Sequence, residues 1–204
     1  MQGKFITLEG IEGSGKSTNL KVVKTIFDQN KIDYVITREP GGGPLGPHLR
    51  KLLLDKDQSI SPSVEMLLMM ADRKDHVDNL IKPNLDKGVW VISDRYLDST
   101  IAYQGGGRQL DINLITSLSA ALKLPSPDFT LLFDLPVDVA LQRAEERSEL
   151  DRFEREPKDF HSRIRDSYLE LASNNHRIRT VDSSKDIESV SMQVEKYLTD
   201  FINA

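Results

Sequence analysis

Phe5-Ile6-Thr7-Leu8-Glu9-Gly10-Ile11-Glu12-Gly13-Ser14-Gly15-Lys16-Ser17-Thr18 decides the reading of this chain. The first five residues form a short, nearly continuous apolar run, as expected of a strand covered on both faces. From Gly10 to Ser17 the sequence matches G-x-x-x-x-G-K-[ST] in full, and a helical run from Lys16 to Gln29 follows. Strand, glycine-rich loop and helix in that order are the context in which the pattern binds nucleotide phosphates. Glycines let the backbone close round the anion, and the amides of the loop and helix start point at it. Gly10, Ile11, Glu12, Gly13, Ser14, Gly15, Lys16, Ser17 and Thr18 are therefore the expected ATP contacts. Lys16 should reach the β- and γ-phosphates, and the Ser17 hydroxyl should hold Mg²⁺. The alternative is a glycine-rich turn with no ligand.

Outward from that loop, four more β-rich runs alternate with helical stretches: Tyr34–Thr37, Val89–Ser93, Phe129–Asp134 and Ile178–Val181. Ser61-Pro62 offers a capping serine and a proline at the first helical position, and Lys87-Gly88 closes that stretch. The alternation reads as an α/β protein with a parallel, doubly wound sheet. Ligands in such sheets bind beyond the carboxyl ends of the strands.

Composition narrows the class. At 204 residues the chain fits one domain. Hydrophobic and charged shares of 38% and 29% are those of an ordinary globular protein. A formal net charge of −5 argues against a general nucleic-acid binder. No apolar run approaches the ~20 residues of a membrane span, the start lacks a signal-peptide core, and cysteine is absent. Together these point to the cytoplasm, with no membrane partner. The four histidines, His48, His76, His161 and His176, show no ligand spacing.

Asn30-Lys31-Ile32-Asp33 has the form of a guanine-reading N-K-x-D. It stands in the turn before the second strand, too early for a GTPase, and D-x-x-G occurs nowhere. An ABC-type ATPase is excluded by length and by the lack of its signature.

Further motifs lie at the strand ends. They are Thr37-Arg38-Glu39-Pro40-Gly41-Gly42, Ser93-Asp94-Arg95-Tyr96, Thr100-Ile101-Ala102-Tyr103-Gln104-Gly105-Gly106-Gly107-Arg108 and Asp151-Arg152-Phe153-Glu154. With Glu9-Gly10-Ile11-Glu12-Gly13, and in this order, they resemble the bacterial thymidylate kinases, from about Phe5 to Leu171. The resemblance implies a three-layer α/β fold with a five-stranded parallel sheet, helices on both faces and a small helical lid at about 143–158. It also implies a Mg²⁺-dependent homodimer that phosphorylates dTMP with ATP, residues 1–204 being one domain.

On that resemblance Arg95 clamps the acceptor phosphate, for which a planar guanidinium is suited, and Asp94 organises Mg²⁺ or its waters. A surface salt bridge from Asp94 to a lysine is the plainer reading. Arg38 and Arg50 flank the glycine turn and approach the same phosphate, although Arg50-Lys51 also fits a solvated helix face. The family has threonine where Gly43 stands, and the extra glycine should loosen the turn. Arg73 faces the thymine carbonyl, Ser99, Thr100 and Gln104 line the base, and Glu39 joins the acceptor set. Met69 stands where the family has a phenylalanine that stacks on thymine. Tyr103 packs near the sugar 2′ carbon, the alternative being a buried tyrosine with an ordinary hydrogen bond. Glu12 contacts the acceptor and the metal's water shell.

The phosphate loop has no arginine at its variable positions, so the family pattern draws the catalytic cation from the lid. Arg152 is the first candidate, then Arg147 and Arg155, while Arg143 stacks on adenine. Helical i, i+4 pairing on a solvated face would account for most of these arginines. Two other functions compete: a deoxyribonucleoside kinase, on whose neutral 5′-hydroxyl arginines 38, 50 and 95 would be misplaced, and a catalytically idle nucleotide switch.

Overall fold

The computed structural model describes residues 3–147 and 150–204, with Arg147 described in its backbone only. Five parallel strands form one sheet: β1 (Phe5–Glu9), β2 (Tyr34–Arg38), β3 (Trp90–Asp94), β4 (Phe129–Asp134) and β5 (Ile178–Asp182). Their order is β2-β3-β1-β4-β5, which puts the strand before the phosphate loop at the centre. Phe5 is in register with Val91, Ile6 with Phe129, Tyr34 with Trp90 and Thr130 with Ile178.

Alternation along β1 explains the layers. Ile6 and Leu8 point to one face, where they pack with Phe27 of α1 (Lys16–Gln29) and with Val190, Val194 and Leu198 of α9 (Ile187–Ile202). Phe5 points to the other and packs with Val77, Ile81 and Leu85. On that face Thr7 and Thr130 share a 2.7 Å hydrogen bond across the strands. α8 (Lys158–Ser173) covers it further along through Phe160, Ile164 and Tyr168.

Three stretches position the site. α3 (Pro62–His76) runs into a π-helical turn at Val77–Ile81 and then α4 (Lys82–Asp86). Pro83 has no amide to donate and presses on the carbonyl four residues back, so the helix widens just before it. Ser61 stands at the N-cap of α3, but its hydroxyl makes no capping bond; it is exposed and left to water. After β3 come α5 (Leu97–Thr100) and a second π-helical segment, Ile101–Gly107. The stretch expected to form a helical lid begins as the end of α7 (Val137–Arg147) and forms turns over residues 152–155, not a further helix, before α8 begins. α2 (Gly46–Leu54) and α6 (Ile112–Ala121) complete the described helices.

Asn30-Lys31-Ile32-Asp33 is the end of α1: Asn30 caps it, and Lys31 turns the chain with φ 53°. No guanine site is formed there. The Gly43 turn is tight, not loose. A Cβ on Gly43 would collide with the Asp75 carboxylate and the His76 amide, so the glycine lets the turn lie directly on α3.

Candidate active site

A cleft of about 660 Å³ lies at the carboxyl ends of the strands. The phosphate loop forms its floor. Gly13 and Gly15 hold φ of 71° and 86°, in the left-handed region that glycine enters without strain. A side chain at Gly13 would also strike the Ala140 carbonyl. Gly13, Ser14, Gly15, Lys16, Ser17 and Thr18 line the cleft. Gly10 and Ile11 do not: Ile11 is buried with Leu132 and Leu135, and both act through their carbonyls. The Lys16 ammonium donates to the carbonyls of Gly10 (2.9 Å) and Ile11 (3.0 Å) and to Ser14 Oγ (3.3 Å). Burial first, and then Arg95, lower its pKa to about 8. A buried cation with its pKa depressed in this way gains from an anion.

One end of the cleft holds three arginines from two strand ends and a helix. Arg38 and Arg50 both line the cleft, and Arg50 is half-buried, not on a fully solvated helix face. Burial and the neighbouring Arg38 push the Arg50 pKa down, a like-charge repulsion that a bound anion relieves. Arg95 follows β3 with φ 73°, unusual for a residue with a side chain. Its amide donates to the Leu8 carbonyl at 2.9 Å. Its guanidinium donates to Glu12 (2.8 Å), Tyr103 (3.0 Å), Ser99 (3.2 Å) and Tyr168 (3.3 Å). Glu12 also accepts from the Tyr103 hydroxyl at 2.6 Å. Burial raises the Glu12 pKa, but Arg95 and Lys16 outweigh it and the net shift is downward. Asp94 lines the same cleft as Ser17, and its buried Oδ1 has no hydrogen-bond partner.

Met69, Arg73, Ser99, Thr100 and Gln104 line a further part of the wall. Arg73 is 2% exposed and donates to Glu39 (2.7 Å), Thr100 (2.8 Å) and the Tyr96 carbonyl (2.9 Å). Glu39 borders the cleft, yet its carboxylate is engaged by Arg73 and by His76 Nδ1 (2.9 Å). It holds Arg73 in place. His76, unassigned from sequence, bridges Glu39 to Thr37 (2.7 Å). Asp72 fixes the glycine turn by accepting from the Gly41 amide at 3.0 Å.

Opposite, Arg143 donates to the Ser183 carbonyl at 3.0 Å, and both line the cleft near Lys185 and Ile187. The lid arginines part company. Arg152 does not line the cleft. It donates to Glu65 (2.7 Å) and the Leu53 carbonyl (2.9 Å) and lies over the Phe153 ring at 4.5 Å. Glu65 is fully buried and draws a cation to itself, because an unpaired buried carboxylate is costly. Arg155 is exposed and donates to the Leu150 carbonyl at 3.0 Å. The Arg147 side chain lies outside the described residues. Arg163 donates to the Gly107 carbonyl and Arg165 pairs with Asp134.

Glu9 is another buried carboxylate that sequence reasoning missed. It accepts from the Tyr96 amide (2.8 Å), Ser99 (2.6 Å) and Tyr168 (2.9 Å). Burial, and then Asp98, raise its pKa to about 7. The signal in α3 was available: Glu65, Asp72 and His76 recur at helical spacing with Met66, Met69 and Arg73. Polar residues on the same face as apolar ones mark a buried network. Among the described residues no helix is long and apolar enough to cross a membrane. None of them forms a group of three or more His, Cys, Asp or Glu suited to a metal.

A sequence profile described as thymidylate kinase matches residues 8–194. The thymidylate kinase of Carboxydothermus hydrogenoformans is 49% identical, over 97% of this chain and 98% of its own length. That of Nitrosomonas europaea is 44% identical, over 98% and 94%. Among solved structures, the thymidylate kinase of Ehrlichia chaffeensis superposes with a TM-score of 0.76 at 35% identity, covering 98% of this chain and 99% of that one.

Proposed function

This chain belongs to the thymidylate kinase family, and from that premise we propose how its cleft divides the reaction between two nucleotides. The enzyme moves the γ-phosphate of ATP onto dTMP and releases dTDP. The observation that carries the division is one continuous cleft with the phosphate loop at its floor and Arg38, Arg50 and Arg95 at one end.

ATP enters along the loop, with its phosphates over Gly13–Thr18 and its base between Arg143 and the segment after β5. Lys16 exchanges loop carbonyls for β- and γ-phosphate oxygens. The dTMP phosphate lies against Arg95, Arg38 and Arg50, with thymine toward Met69, Arg73, Thr100 and Gln104. Tyr103, tied to Glu12, closes the sugar side and leaves little room for a ribose hydroxyl. An acceptor phosphate oxygen attacks the γ-phosphorus as the bond to the β-bridging oxygen breaks. That oxygen is already anionic near neutral pH, so the protein supplies position and charge and no proton acceptor.

The residues present fit a magnesium ion. Ser17 supplies a hydroxyl, Asp94 an orphaned buried oxygen, and phosphates and water complete such a shell without a dense carboxylate cluster. When bound, Mg²⁺ neutralises charge on the phosphates. Arg152 remains the lid arginine assigned to the transferring group, and to reach it Arg152 must exchange Glu65 for phosphate oxygens. We take residues 1–204 as one domain with its lid at about 143–158, cytoplasmic and homodimeric. Exposed Leu45, Leu52, Val64 and Leu67 support an apolar partner face.

A coupled ADP-release assay with dTMP, thymidine, dUMP, dAMP and no acceptor tests the reading. Turnover should require dTMP and Mg²⁺, with dUMP poorer. Equal rates with thymidine and dTMP would sink the phosphate-acceptor assignment, and ADP release indifferent to acceptor would leave only an idle switch.

A further inference from the structure

Glu65, in the first turn of α3, is wholly buried, and both its oxygens are in use. Oε1 accepts from Gln104 Nε2 at 2.8 Å and Arg108 Nε at 3.2 Å. Oε2 accepts from Arg108 Nη2 at 3.1 Å and Arg152 Nη1 at 2.7 Å. One carboxylate thus joins a residue of the acceptor-base wall to a residue of the lid.

The pairing is lopsided. Arg108 also pairs with Glu156 and lies over the Phe160 ring, so it is anchored on several sides. Arg152, by contrast, keeps a buried Nη2 with no partner. When Arg152 leaves, Glu65 keeps Arg108 and is not stranded as a lone buried charge. When Arg152 arrives at phosphate oxygens, its unmet donor is satisfied. Departure is cheap for the carboxylate; the arginine gives up its bond to the Leu53 carbonyl and its place over the Phe153 ring and gains partners for Nη2. Gln104 sits on the other oxygen of the same group, so a base that draws on its amide alters the hold that Glu65 has on Arg152.

We propose that Glu65 is a positioning residue that links filling of the acceptor-base pocket to delivery of Arg152. This rests on the acceptor and lid assignments given above. Gln104 and Arg152 share no hydrogen bond with each other but share Glu65 as a partner, and residues without a shared partner change activity independently. Coupling between them reports the link.

The experiment is a double-mutant cycle with dTMP as acceptor: kcat and KM for the unmutated protein, Gln104→Met, Arg152→Ala and both together, repeated in a Glu65→Gln background. Melting temperatures are taken throughout. With Glu65 present, the double variant should keep at least about fivefold more kcat than the product of the two single losses predicts. With Glu65→Gln that excess should fall below about twofold. A purely structural role for Glu65 lowers melting temperature without making the coupling depend on it. Losses that multiply within about twofold while Glu65 is present overturn the link, as does coupling that survives Glu65→Gln. If Glu65→Gln does not fold, the first cycle still decides, and Glu65→Asp, which shortens the reach, should weaken the coupling. Failure of the unmutated protein to phosphorylate dTMP counts against the functional reading and not against the link.

Discussion

Replacing Met69 by phenylalanine sets two magnitudes against each other. Met69 lies on α3 one turn before Arg73, borders the cleft, and is half-buried against the cluster that contains Tyr103 and Phe153. A thioether against a base ring is worth about 0.3–1.5 kcal/mol. An aromatic ring stacked on a base is worth about 1–3 kcal/mol. The difference, about 1 kcal/mol, corresponds to about fivefold in affinity. Against it stands overpacking, which costs about 1–3 kcal/mol when added volume is forced into a filled core. The cleft decides the balance. Its volume is about 660 Å³ and Met69 forms part of its wall, so the larger ring has somewhere to go. Met69→Phe should therefore lower KM for dTMP several-fold, tighten dTMP binding in a calorimetric titration, and sharpen the preference over larger acceptors. The melting temperature should hardly move. A raised KM together with a lowered melting temperature would place Met69 in the core and refute the reasoning.

Lys16→Met should lose about 10³-fold or more in kcat with a folded protein, since the cation at the transferring phosphate is gone; near-normal turnover would mean the loop does not hold the reacting phosphates. Arg152→Ala should lower kcat by about 10²-fold with a smaller change in KM for dTMP. A larger effect from Arg147→Ala or Arg155→Ala would move the role within the lid. Glu9 gives a pH test: its folded pKa, about 7, lies above its ordinary 4.5 because of burial and then Asp98. The folded state thus binds the proton more tightly. Its contribution to stability is full below 4.5 and is lost as pH rises through 7, with a slope of up to about 1.4 kcal/mol per pH unit. Urea midpoints of the unmutated protein should therefore fall across that window relative to Glu9→Gln, and parallel profiles would count against it.

Periodicity and motif exposed the frame of the molecule. All five strands and α1 fall where apolar runs and the glycine loop put them; β1, β3 and β4 are largely buried on both faces, and such strands have little freedom in composition. The lining of the cleft was legible for a related reason: Lys16, Arg38, Arg95 and Tyr103 sit in short motifs beside strand ends. What stayed hidden was the polar network behind that lining. Tyr168 reaches Glu9 across 159 residues of chain, and Arg152 reaches Glu65 across 87. No local pattern encodes such pairs, since each member looks like an ordinary surface charge until tertiary packing removes the water. Arg152 shows the cost of this blindness. Its motif marked it as functional, but only the buried Glu65 reveals where it rests. Gly43 failed in the opposite direction, because a glycine that reads as slack proves to be a close contact with α3.

The position of β1 has a consequence for how the protein is made. It precedes every other described strand in the chain and is the innermost in the sheet, yet its partners come much later, β3 from residue 90 and β4 from residue 129. At about 5–20 residues per second, the nascent strand waits on the order of ten seconds for both neighbours. During that time a run of apolar residues with unpaired edges trails behind the growing chain. Such long-range parallel pairing folds slowly and invites wrong partners. The strand that leads into the phosphate loop is thereby the one that waits longest for its neighbours, and truncation anywhere before β4 leaves at least one of its edges unpaired.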